Sequence, residues 1–501
     1  MKKIGSTFHP FCWPINYKFA GSIYLLNQDH LYFTIHFLEM CRKCSGGLMS
    51  NTNIVENAKS HVWHHLTQHK AFEENDPLVV SNASGMIITD SKGDEYLDAT
   101  SGGVWTVNLG YGRDEMVKVV SDQISKIPYF AGAFGNEPAS QYAQEITSLM
   151  PGMNRVYYSN SGSEANEKGY KMVRQLAHFD NDGKKHKIIF RDRDYHGTTI
   201  GAMSSSAQIQ RKKQYGPFAP GFVEMPNCCC YRCPFGKKYG ECNIECATVL
   251  EDIILKEGPD TVGSVVLEPI TAGGGVIPPV KEYFPIIQSI CNKYDVLLHI
   301  DEVVCGLGRT GKWFGYQHFD VQPDIVTTAK GLAAGYAAIS VTITSEAIFD
   351  RFKQDPSNPD SYFRDISTFG GCTAGPAAAL EVVNIIKREN LLDNVKNMGD
   401  YLKQRLHELE DKYDIIGDVR GKGLFCGVEL VKDRKTKEPV HESVAMAIAG
   451  HCLKNKVMIG RTNRSFEYNN NVLLFSPAFI CSKHEIDQII EAVDNAIAAN
   501  I

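Results

Sequence analysis

A carboxylate and an amine, 29 positions apart, each close an apolar run. The stretch Asp295-Val-Leu-Leu-His-Ile-Asp301 has the pattern of a buried strand ending on an acid, followed by Glu302. The stretch Asp324-Ile-Val-Thr-Thr-Ala-Lys330 has the same pattern, ending on an amine followed by Gly331. Open α/β sheets place their chemistry at the carboxyl ends of parallel strands. A lysine there can bond an aldehyde, and an acid there can hold a pyridine nitrogen protonated. Together they suit pyridoxal 5′-phosphate. Taken alone, the pair reads equally well as a buried Lys-Asp ion pair or as two unrelated surface groups.

Other stretches carry chemistry of their own. Ser159-Asn-Ser-Gly162-Ser163-Glu164-Ala-Asn166 falls between a strand and a helix. Glycine lets a ligand approach the backbone, and the first helical N–H groups point at it, as phosphate binding requires. An ordinary helix cap gives the same letters. Tyr195-His196-Gly197-Thr198 follows another strand, where an aromatic side chain can lie on a planar ring. Glu268-Pro269 ends a further strand and points a carboxylate toward the same crevice, or forms a structural turn. Gly306-Leu-Gly308-Arg-Thr-Gly311 matches the dinucleotide fingerprint, but no helix pattern follows it, so a decoy is expected. Cys230, Cys233, Cys242 and Cys246 form C-x2-C, eight residues, then C-x3-C. That spacing permits a metal knot, although nothing tightens it, and a thiol-rich surface excursion with no metal is the expectation.

The elements that must position these groups follow from periodicity. Residues 80–112 read as short strands around an Asp90-Ser-Lys-Gly-Asp turn. From about 115 to 345, helices and strands alternate: strands at 155–158, 187–190, 261–267 and 295–301, helices at 164–176, 247–256 and 283–294. Ser161 and Glu164 are spaced as a capping box. The order predicts an α/β fold with a doubly wound, mostly parallel sheet. Beyond 350, long helix over 375–412 with a break near Asn390, strands at 415–419, 423–430 and 471–475, and a closing helix at 484–500 predict a smaller α+β domain. The expected boundaries are 49–112 for an N-terminal part of the small domain, 113–350 for the large domain and 351–501 for the rest of the small one.

Composition narrows the class. The 501 residues suit two or three domains, and 43% hydrophobic with 22% charged residues is ordinary for a globular protein. A net charge of -6 argues against general nucleic-acid binding. Fifteen cysteines are too sparse for a secreted disulfide scaffold and fit reduced thiols in a cytoplasm. No apolar run is long enough to span a membrane. Residues 1–48 differ in texture, being rich in aromatics such as Phe8, Phe11, Trp13, Tyr17 and Phe19. Lys2 and Lys3 hint at a signal peptide, but Pro10, Pro14, Asn16, Lys18 and Asn27 interrupt its core. The expectation is a non-native upstream extension, with Met49 as the initiator and a targeting peptide as the alternative.

The motifs together resemble the class III pyridoxal-phosphate aminotransferases. They are Ser161-Gly-Ser-Glu-Ala-Asn166, Tyr195-His-Gly197, Glu268-Pro269, Ile300-Asp-Glu-Val303, Gly308-Arg-Thr-Gly311, Ala329-Lys-Gly331 and Thr368-Phe-Gly-Gly371. The resemblance covers residues from about 60 to 500. The runs 160–175, 191–198 and 299–306 are most similar to the branch that moves the amino group of taurine to pyruvate. The resemblance implies a fold-type I homodimer with shared sites, a tetramer being the alternative. It implies that Lys330 binds the cofactor, Asp301 holds its ring nitrogen, and Gly162 and Ser163 bind its phosphate with Thr368 of the neighbouring subunit. Tyr195 and Val303 would cover the two ring faces. Glu268 and Trp105 would line the substrate side. One departure matters: the strand 471–475 lacks the arginine found in relatives that act on α-amino acids. Arg461, with Arg464 as alternate, would receive the acid end of the keto acid. Rival expectations are another ω-amine donor or acceptor, an aminomutase or epimerase, an NAD-dependent dehydrogenase and an inactive cofactor-binding regulator.

Overall fold

The computed structural model describes residues 53–130, 132–353, 357, 358, 360–463 and 465–501. Residues 1–48, expected to be an upstream extension, and Arg464 lie outside the described residues. Two compact units divide the chain, one ending at Val79 and one running from Val80 to Ile501. In the first, Asn53 caps the helix Ile54–His61 through the Glu56 N–H, and a 3₁₀ turn covers His69–Glu73.

The second unit opens with an antiparallel meander of β1 (Val80–Ser84), β2 (Ile87–Asp90) and β3 (Glu95–Asp98). The turn forms where the sequence places it: Asp90 Oδ1 accepts the N–H groups of Lys92 at 2.8 Å and Asp94 at 2.9 Å.

The central sheet contains β4 (Arg155–Ser159), β5 (Lys187–Arg191), β6 (Phe222–Met225), β7 (Val262–Leu267), β8 (Leu297–Asp301), β9 (Ile325–Thr328) and β10 (Ser340–Thr344). Their spatial order is β4-β10-β9-β8-β7-β5-β6. The pairs from β9 through β6 are parallel, while β10 enters antiparallel to both neighbours. Side-chain alternation covers both faces, as a parallel sheet requires. Ile188, Phe190 and Val266 pack with Tyr170 of the helix Gly162–Asn181. Ile189, Val265, Leu298 and Ile300 join the cluster that holds Leu250 and Ile287 of the helices Glu245–Glu257 and Tyr283–Tyr294.

The C-terminal part has β11 (Ile416–Gly421), β12 (Cys426–Asp433), the short β13 (Glu438–Pro439) and β14 (Val457–Met458), then β15 (Gly460–Arg461) and β16 (Val472–Phe475). β11, β12, β16 and β15 form an antiparallel sheet, and β14 instead pairs in parallel with β3. The long helix breaks at Asn390 as expected, giving Ala374–Arg388 and Leu391–Lys412. A helix at Glu442–Lys454, absent from the periodicity reading, adds to the closing helix Lys483–Ala498. Among the described residues no helix is long and apolar enough to cross a membrane.

Candidate active site

β8 and β9 are parallel neighbours, with Asp301 in register with Thr327. Asp301 therefore ends one strand beside the end of the next, and Lys330 follows two residues past β9. Lys330 has φ of +46°, a left-handed conformation that costs a non-glycine residue on the order of 1–3 kcal/mol. Packing around Gly331 and Leu332, both buried, holds it there. Lys330 Nζ lies 5.7 Å from the Trp105 ring centroid. Among the described residues Lys330 and Asp301 form no ion pair, which removes the simple buried-pair reading. Burial pushes the Lys330 amine below its ordinary pKa, and Arg211 adds to this against the opposing carboxylates Asp301 and Glu268.

Asp301 is held on both oxygens. Oδ2 accepts from Asn166 Nδ2 at 2.8 Å and faces His196 Nδ1 at 2.8 Å, and Oδ1 accepts the Val303 N–H at 3.0 Å. Burial opposes its charge, yet these bonds win and keep its carboxyl below the ordinary range. Asn166 is fully buried and spends its other capacity on His196 O at 2.8 Å and Thr327 Oγ1 at 2.8 Å. Glu268 accepts the N–H groups of Tyr195 at 2.8 Å and Ala272 at 2.9 Å. Burial, then Asp194 and Asp301, raise its pKa well above the ordinary value. Behind it, Arg191 pairs with Asp194 at 3.0 Å and donates to Glu268 O at 2.7 Å.

The helix Gly162–Asn181 begins at this cavity. Ser161 Oγ accepts the Glu164 N–H at 3.3 Å, but the Glu164 carboxylate bonds the Asn160 N–H at 2.9 Å. The expected capping box thus forms only on its serine side, because the acid reaches one residue further back. The N–H groups of Gly162 and Ser163 have no intrahelical acceptor and can serve an anion. A Cβ on Gly162 would stand 2.9 Å from Val303 Cγ2, so only glycine leaves that gap open.

A cavity of about 320 Å³ is lined by Lys330, Asp301, Glu268, Gly162, Ser163, Tyr195, Val303 and Trp105. All eight were singled out from the sequence. Thr368 and Arg461 do not line it. Thr368 is exposed, with its carbonyl accepting from Tyr129 Oη at 2.7 Å. Arg461 is half-buried on β15, and its Nη1 donates to the carbonyl of its neighbour Thr462 at 3.1 Å. The site fits pyridoxal 5′-phosphate on three counts: an amine shifted toward its neutral form, a buried ionised acid with its bonds arranged, and a helix start opened by glycine.

The glycine triplet at 306–311 is structural. Arg309, at its centre, is fully buried and donates to Leu424 O at 3.1 Å, Pro477 O at 2.6 Å, Ser101 Oγ at 3.1 Å and Asn108 Oδ1 at 2.6 Å. The cysteines Cys230, Cys233, Cys242 and Cys246 line one cavity of about 20 Å³. Among the described residues no group of three or more His, Cys, Asp or Glu has metal-holding geometry. Sequence reasoning missed the roles of Asn166 and His196 against Asp301, and of Arg191 and Asp194 behind Glu268. Asn166 and His196 stand inside the quoted motifs, but their partner is 135 and 105 positions away, beyond any local pattern.

Comparison with known proteins agrees with this geometry. The aminotransferase class-III family model matches residues 70–497. The taurine–pyruvate aminotransferase of Rhodobacter capsulatus is 57% identical over 445 residues, 89% of this chain and 96% of that protein. The hypotaurine/taurine–pyruvate aminotransferase of Paracoccus denitrificans is 56% identical over 447 residues, 89% and 97% of the two chains. A solved aminotransferase from Bacillus anthracis superposes with a TM-score of 0.85 at 34% identity, over 90% of this chain and 100% of that one. With the lysine, the acid and the glycine-opened helix start at one cavity, and with this match along nearly its whole described length, the chain belongs to the class III aminotransferases.

Proposed function

We propose that this enzyme moves the amino group of taurine, or a similar ω-amino acid, to pyruvate, giving sulfoacetaldehyde and alanine. The observation that carries the donor and acceptor is the 57% identity to the Rhodobacter capsulatus enzyme across 89% of the chain. The cofactor is pyridoxal 5′-phosphate. When bound, it supplies an aldehyde carbon that captures a primary amine and a ring that accepts an electron pair.

The chain's residues supply the rest. Lys330 Nζ would hold the cofactor through its aldehyde carbon. With its pKa lowered by burial, the Lys330 amine would serve as the base that moves a proton at the substrate carbon. Asp301, kept ionised by Asn166, His196 and the Val303 N–H, holds the proton on the ring nitrogen. Gly162 and Ser163 receive the phosphate, joined by Thr368 of a second copy. Tyr195 and Val303 hold the two ring faces, and Glu268 and Trp105 shape the substrate side. Arg461 receives the acid end of each substrate in turn, with Arg464 as the alternate. The same residues would receive the keto acid.

This reading makes the enzyme a homodimer in which Thr368, which does not line its own chain's cavity, serves the neighbouring site. The sparse cysteines support a cytoplasmic location. The division at 112 and 350 into large and small domains belongs to the same reading. A donor panel of taurine, hypotaurine, β-alanine and 4-aminobutyrate, against pyruvate and 2-oxoglutarate, tests it. Taurine with pyruvate is expected to be among the fastest pairs. Rapid transamination of an α-amino acid with none of taurine or β-alanine would overturn the substrate assignment.

A further inference from the structure

A second arginine stands against Tyr195, a wall of the cavity, without lining the cavity itself, and no carboxylate among the described residues balances it. Arg211 lies on the short helix Ile209–Lys212. Its guanidinium is 5.1 Å from the centroid of the Tyr195 ring, which lines the cavity. Its Nη2 reaches toward Asn463 O at 3.5 Å, two residues beyond Arg461. The segment carrying it is stitched to that same loop. The Gln210 N–H donates to Ser465 O at 3.3 Å, Ser465 Oγ to Gln208 Oε1 at 3.2 Å, and Asn470 Nδ2 to Gln210 Oε1 at 2.8 Å. Arg211 therefore bridges the Tyr195 wall and the loop that follows Arg461.

Its charge balance differs from that of Arg191 and Arg420, whereas Arg309, also without a carboxylate partner among the described residues, spends its donors on oxygens of the protein. Buried Arg191 pairs with Asp194 at 3.0 Å, and buried Arg420 pairs with Glu429 at 2.7 Å. Arg211 pairs with no carboxylate among the described residues, and its buried Nε has no hydrogen-bond partner. Burial pushes its pKa down, against a smaller opposing influence from Tyr195. Arg211 is half-buried, and taking a cation even partly out of water without a counter-ion carries a cost. A ligand anion arriving from the cavity side would supply the missing partner.

The chemistry of the donor says which anion benefits. A planar carboxylate presents two oxygens, and one guanidinium fork takes both. A sulfonate is tetrahedral and presents a third oxygen, which one fork leaves without a cation. We infer that Arg211 is a specificity-determining residue that receives the sulfonate of the donor alongside Arg461 and so favours taurine over β-alanine, its carboxylate counterpart. This rests on the taurine reading above.

The test uses cofactor-loaded enzyme with pyruvate as acceptor, comparing taurine with β-alanine in the wild type, Arg211→Met and Arg211→Lys. The inference expects Arg211→Met to lower kcat/KM for taurine by about tenfold or more, mainly through KM, as loss of a charge-assisted contact does. β-Alanine should change by less than about threefold, and Arg211→Lys should recover part of the taurine loss. β-Alanine also reports on Tyr195, which both donors share. An equal fall for both donors, or an unchanged taurine to β-alanine ratio in both variants, would overturn the inference while leaving the taurine reading standing. A wild type that ignores taurine overturns the reading itself, and the inference with it.

Discussion

At the scale of single residues, the proposed chemistry rests on keeping one buried carboxylate charged. Asp301 achieves this with bonds from Asn166, His196 and the Val303 N–H, each at 2.8–3.0 Å. Replacing Asp301 by Asn would remove the charge proposed to hold the ring proton, while the strand end and its neighbours keep their shape. Turnover is expected to fall by orders of magnitude with an unchanged melting curve. Near-normal turnover in a folded Asp301→Asn enzyme would refute the role. Asn166 acts one step removed, and its effect has a sign. A carboxylate whose pKa is depressed by its partners stays charged above the ordinary carboxylate range and loses that benefit as pH falls through the depressed value. Asn166→Ala takes away one donor, so the depressed pKa rises. The acid limb of the activity profile should move to higher pH, and an unmoved limb would show that Asn166 merely fills space.

At the scale of elements, the strand ends were legible because buried parallel strands are short continuous apolar runs. Their last residues face the crevice by topology alone. That is how Lys330, Asp301 and Glu268 could be placed before any coordinates. β10 was not legible. Ser340-Val-Thr-Ile-Thr344 alternates hydroxyl with apolar side chains, which reads as half-exposed, yet all five residues are buried. Thr342 Oγ1 solves its own burial by donating to Ala165 O at 2.7 Å, a contact no local pattern announces. The helix Glu442–Lys454 escaped notice because Ala445, Ala447, Ala449 and Gly450 give little apolar contrast between its faces. The glycine triplet reads correctly as no cofactor loop, but its purpose appears only with Arg309. Arg309→Met strips donors from buried oxygens, at about 1–3 kcal/mol for each one left unsatisfied. A clear fall in the denaturant midpoint is expected, with the cofactor still bound by the folded fraction. An unchanged midpoint would mean that the triplet is not the tie it resembles.

At the scale of the whole molecule, the proposed function pairs two chains. Thr368 does not line the cavity of its own chain, and in the proposed dimer the second copy's Thr368 would meet the phosphate. Mixing Lys330→Ala chains with Thr368→Ala chains should restore activity, because one of the two sites in a mixed dimer then has both Lys330 and Thr368. Failure to restore any activity after proven subunit exchange would confine Thr368 to a role in its own chain. The most direct measurement of the central claim follows the two half-reactions separately in the absorbance of the loaded enzyme. Taurine alone, in the absence of any keto acid, should bleach the visible band that depends on Lys330. Pyruvate added afterwards should restore it, with one alanine formed per site. A band that taurine leaves untouched, or that returns without alanine, would contradict the account.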